Sequence, residues 1–120
     1  MRREDFEKLV DAAVTDLPEE FRSRLENVAL LVESRPTRAQ LASLDLEPDD
    51  ELFGLYEGTP LTERGFEAPL HPDRIWIFQE PIERVCVTRR EIQEEIRITI
   101  MHEIAHFFGI DDNALEDMGY

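Results

Sequence analysis

His102-Glu103-Ile104-Ala105-His106-Phe107-Phe108-Gly109-Ile110-Asp111-Asp112 carries most of the readable chemistry of this chain. Two imidazoles four residues apart on a helix point the same way and can grip one ion. Glu103, between them, can act as base to a water activated by that ion. Gly109 can stop the helix and turn the chain back, because it tolerates positive φ. An acid beyond the turn can then arrive as third ligand, which leaves a fourth position for water. Asp111 and Asp112 both stand where that acid is needed.

The helix that presents this stretch is legible upstream. Thr88 with Glu91 three residues on is a capping-box pattern, and it opens a helix expected over 89–108, about 30 Å long. Ile92, Ile96, Ile100, Ile104 and Phe108 form an i,i+4 apolar ridge along it. His102 and His106 fall on another stripe, so the ridge can anchor the helix while the histidines face a cleft.

The rest of the chain reads as one mixed domain over 1–120. Phe6, Leu9, Val10, Ala13, Val14 and Leu17 recur at helical spacing, with acids in the first turn, and predict an amphipathic helix over 4–17. Pro18 starts a short helical turn through Leu25. Val28 to Glu33 is an apolar run between polar breakers and predicts a buried strand. Thr37 and Gln40 suggest a second capping box, for a short helix to about Leu44, followed by a polar loop to Asp50. Leu52 to Tyr56 predicts a second strand, then 57–67 is rich in turn residues. Arg74 to Phe78 alternates and is rich in isoleucine and aromatics, predicting a third strand. Pro81 just beyond it predicts that its far end lies at a sheet edge. A last short helix is expected over 113–119.

Composition bounds the function. The chain has 120 residues, enough for a modest core without disulfides, and its single cysteine, Cys86, permits no internal one. The 28 acidic and 13 basic residues give a net charge of −15, which argues against partners held by a general field, such as nucleic acid or anionic lipid. Met1-Arg2-Arg3-Glu4-Asp5 turns acidic with no apolar run behind it. The expectation is therefore no leader, no membrane span and a cytoplasmic protein. No Cys-centred catalytic context surrounds Cys86, which is read as inert; Trp76 is read as packing in or beside the sheet.

Taken together, the motif and its context resemble the small bacterial "minimal zincin" metallopeptidase-like family. The resemblance covers HExxHxxGxxD within 101–112 and extends to Leu52-Phe53-Gly54-Leu55-Tyr56-Glu57-Gly58-Thr59-Pro60-Leu61-Thr62-Glu63-Arg64, Pro72-Asp73-Arg74-Ile75-Trp76-Ile77-Phe78 and Pro81-Ile82-Glu83-Arg84. It implies an α+β, zincin-like fold, with a small mixed β-sheet packed on the active-site helix, plus the N-terminal helices. It implies Zn²⁺ as cofactor, His102, His106 and Asp112 as ligands, and Glu103 as general base for water attacking a peptide or amide carbonyl. Asp112 matches the family's third-ligand position, with Asp111 as rival. A peptide or protein substrate would lie along an edge strand, for which Arg74 to Phe78 is the candidate. Wider metzincins carry a methionine turn beneath the metal; Met118-Gly119-Tyr120 follows Asp112 too closely to be read as that element. His71, Tyr56 and Tyr120 are minor candidates for polarising the carbonyl. The alternative function is a non-proteolytic metal-binding or protein-interaction module on the same scaffold.

Overall fold

The computed structural model describes residues 1–58 and 72–119, apart from the side chain of Asp112. The chain opens with helix α1 (Arg3–Thr15), a short α2 (Glu19–Arg22) and a single 3-10 turn (Ser23–Leu25). Strand β1 (Val28–Glu33) and helix α3 (Arg38–Ser43) follow, the latter with its Thr37/Gln40 capping box formed. Strands β2 (Gly54–Glu57) and β3 (Asp73–Phe78) come next. Helices α4 (Gln79–Val85), α5 (Arg89–Phe107) and α6 (Asp112–Asp117) complete the described fold.

The three strands form one mixed sheet in the order β1-β3-β2. β1 runs parallel to β3 with Leu30 opposite Ile75, and β2 runs antiparallel to it with Leu55 opposite Trp76. The architecture is therefore the expected α+β one. The edge assignment is corrected: Arg74 to Phe78 belongs to the central strand, and among the described strands β2 is the edge beside the motif helix. Pro81 misled because it does not sit in a strand at all. It is the third residue of α4, where a missing N–H costs nothing, since the first four helical N–H groups have no intrahelical acceptor.

The core is where one sheet face meets α1 and α5. Ile75 and Ile77 are fully buried against Phe6, Val10 and Ala13 of α1 and Ile96, Ile100 and Ile104 of α5. Each isoleucine of that ridge contributes roughly 1.5–3 kcal/mol of burial, so the ridge, rather than helix propensity, holds α5 in place. The ridge stops one step earlier than expected. Phe108 is 45% exposed and lies under the Arg24 guanidinium, 4.5 Å from the ring centre. Among the described residues no helix is long and apolar enough to cross a membrane.

Candidate metal centre

Helix α5 brings the motif to its own C-terminal end. Its start is fixed by Thr88, whose hydroxyl accepts from the Glu91 N–H at 3.1 Å, while the Glu91 carboxylate accepts from the Thr88 N–H. Its end is fixed by Gly109 at φ +77°. There the Gly109 N–H donates to the His106 carbonyl at 3.2 Å and the Ile110 N–H to the Ala105 carbonyl at 2.7 Å. This is a Schellman stop, in which two otherwise orphaned carbonyls are satisfied and the chain reverses. The reversal brings Ile110 back against the last turn, at Ala105.

His102 is half-buried and His106 exposed, and Ile104, on the opposite side of the helix, is buried. The two imidazole centroids are 6.2 Å apart with planes at 56°. Two imidazoles sharing a tetrahedral zinc, each nitrogen at 2.0–2.1 Å, have centroids about 5 Å apart. The observed centroids stand about 1 Å farther apart than that, a difference that χ rotation can take up, so the spacing of the pair is compatible with a common ion. Among the described residues no group of three histidine, cysteine, aspartate or glutamate side chains stands close enough to hold a metal. The side chain of Asp112, and residues 71 and 120, lie outside the described residues, so the expectations for Asp112, His71 and Tyr120 go with them. The backbone of Asp112 opens α6.

Asp111, its rival, has a structural task. It is the N-cap of α6, and its Oδ1 accepts from the Ala114 N–H at 2.8 Å. Replacing each acid separates the roles. Asp111→Ala is expected to lower stability by about 1 kcal/mol in denaturant unfolding and to leave zinc content intact. Asp112→Ala is expected to release zinc, as read by metal analysis after dialysis. Zinc loss in Asp111→Ala alone would reverse the assignment.

Glu103 is held by a contact that the sequence reading did not anticipate. Its Oε1 accepts from the Tyr56 backbone N–H at 2.9 Å, from the outer edge of β2. The donor is available because the Phe78 N–H donates to the Phe53 carbonyl. In an antiparallel pair that puts the inward-bonding residues at 53 and 55, and turns the polar backbone of Gly54 and Tyr56 away from β3. Burial pushes the Glu103 carboxyl above its ordinary range; the Tyr56 N–H and the nearby His106 and His102 pull it back. The Tyr56 hydroxyl donates to Asp73 Oδ2 at 2.9 Å, and its ring stacks on Phe107 with centroids 3.9 Å apart.

The signal for this contact was Gly54. A glycine inside a strand often marks close backbone approach. Here a Cβ would come within 2.6 Å of Thr99 Cγ2, 3.0 Å of the Trp76 carbonyl and 3.6 Å of Glu103 Cγ. β2 lies against α5 because that side chain is missing. Gly54→Ala is expected to destabilise by about 1–3 kcal/mol, since overpacking outweighs the roughly 0.4–1 kcal/mol gained from a less flexible unfolded chain. Equilibrium unfolding in urea measures it, and a neutral or stabilised variant would show that the strand can move off the helix freely.

Residues 25–120 match the family described as zincin-like metallopeptidase. The chain belongs to the zincin-like metallopeptidase family. No curated protein matches. Among solved structures, the fold is similar to that of a conserved hypothetical protein from T. thermophilus. That likeness has a TM-score of 0.56 and 23% identity, and covers 90% of this chain and 94% of the other. Within this zincin-like chain, Met118 is 43% exposed at the end of α6, which agrees with its not being a buried methionine turn. The Cys86 thiol is pushed up by burial and by Glu95 and Glu91, which disfavours the reactive thiolate.

Proposed function

We propose that this chain is a zinc-dependent hydrolase of peptide or related amide bonds, with His102, His106 and Asp112 as ligands and Glu103 as general base. The observation that carries the reading is the placement of Glu103. Its carboxylate is lodged between the two-histidine face of α5 and the outer edge of β2, with one oxygen tied to the Tyr56 N–H. Zinc, when bound, supplies Lewis acidity, polarising a carbonyl and making water acidic near neutral pH.

The chain's own residues do the rest. The raised Glu103 carboxyl is suited to taking a proton from the attacking water and passing it to the leaving amine. β2, as the edge strand beside α5, is the strand along which an extended substrate would lie. That moves the substrate-binding role from β3, the central strand, to β2. The test is digestion of a broad peptide library by zinc-loaded protein. Specific cleavage that disappears with chelation and in Glu103→Gln supports the reading. Full zinc occupancy with no cleavage would favour the non-proteolytic module.

A further inference from the structure

β2 and the second half of α5 run in step. Gly54 and Tyr56 of β2, and Gly58 just beyond it, meet Thr99, Glu103 and Phe107, which lie four apart on one stripe of α5. Four steps along a strand rise about 13 Å and eight along a helix about 12 Å, so the match holds over the whole run. At both ends of it a side chain would collide. A Cβ at Gly54 would come within 2.6 Å of Thr99 Cγ2, and one at Gly58 within 2.7 Å of Phe107 Cε2. The two glycines let strand and helix close, and Tyr56, between them, reaches across with a ring.

Resting on the hydrolase reading, we infer that Tyr56 and Asp73 are positioning residues for Glu103: the Asp73 carboxylate and the Phe107 ring fix the Tyr56 side chain, and that fixes the peptide N–H that holds Glu103 Oε1. Tyr56 faces Ile75 across the ladder, so Asp73 is its diagonal neighbour on the same face of the sheet. There Asp73 Oδ2 accepts from the Tyr56 hydroxyl at 2.9 Å, while the ring centroid lies 3.9 Å from that of Phe107, the planes at 19°. The side chain is tied to the central strand at its tip and to the motif helix along its face. The Tyr56 N–H meets Glu103, one turn before Phe107, at 2.9 Å. An edge strand is paired on one side only, and its outward N–H groups have no ladder partner to aim them. The clamp on the side chain supplies that aim. A hydroxyl whose proton goes to Asp73 offers none to a substrate carbonyl, which sets this role apart from direct polarisation by Tyr56.

Two measurements on the full chain test this. The first is hydrogen exchange of the metal-free protein. In Tyr56→Phe and in Asp73→Ala the amide at position 56 is expected to exchange about 3- to 10-fold faster, while the amides of Ile75 and Ile77 keep the parent rate. The second is turnover by zinc-loaded protein. In both variants kcat is expected to fall about 10-fold, because a misplaced base acts less well, with KM and zinc content at the parent level. Asp73→Asn, which keeps an acceptor for the hydroxyl, is expected to recover most of what Asp73→Ala loses. Parent exchange at position 56 in both variants overturns the inference. So does faster exchange spread over β3, or parent kcat in variants whose position 56 is loosened. Local loosening in a chain that cleaves no peptide in any form would leave the clamp on Glu103 standing and remove the hydrolase reading.

Discussion

Zinc-loaded Glu103→Gln is expected to keep its metal and to lose about 10²- to 10⁴-fold in kcat/KM, the range for removing a general base. The substitution is well suited to the question. Glutamine keeps the length of the side chain and an Oε1 that can still accept from the Tyr56 N–H, so the anchor between β2 and α5 survives. What it lacks is a group that can take a proton. Stability should not fall either. Burial raises the Glu103 carboxyl, so its ionised form is disfavoured by folding, and that cost is present at pH values above the raised pKa. A neutral isostere removes the cost. Metal-free Glu103→Gln is therefore expected to melt at or above the parent at neutral pH, which excludes unfolding as the reason for lost turnover. Parent-level cleavage by the variant would sink the general-base role.

The parts legible in the sequence were those decided by local chemistry. Both capping boxes formed as read at Thr37 and Thr88, because each is closed by residues three apart. Gly109 ended α5 because only a left-handed residue completes that stop. β1 spans Val28–Glu33 as expected, since its flanking polar residues bound it, but it is half-buried rather than the buried strand its apolar run predicted. What escaped was decided by neighbours distant in sequence. The central place of β3 depends on β1 pairing with it from a remote part of the chain, which no local pattern records. β2 begins at Gly54 rather than Leu52: Leu52 and Phe53 have strand-like side chains, but the ladder starts after them. Helix α4 was hidden by Pro81, whose meaning reverses between a strand and the first turn of a helix. Within the candidate centre, the helical pair His102 and His106 could be placed from spacing alone. The hold of Tyr56 on Glu103 could not, although Gly54 hinted that backbone passes there.

Removing one histidine gives the second large effect, and it should appear only when metal is present. His106 is exposed, so His106→Ala empties no core space, and the metal-free protein is expected to melt close to the parent. With zinc the two diverge. A ligand that binds only the folded state at about 100 times its Kd adds about 2.7 kcal/mol of stability. For a chain of this size that is a rise in Tm of roughly 10 °C. The parent should show that rise between chelator and excess zinc. His106→Ala and His102→Ala should each show about 2 °C or less, because a two-ligand remnant binds too weakly to approach saturation at the same zinc. Glu103→Gln is the internal control: it should keep the full rise while cleaving nothing, which separates holding the ion from using it. If the zinc-dependent rise survives in both histidine variants, the ion sits elsewhere, and the last turn of α5 is not the metal centre.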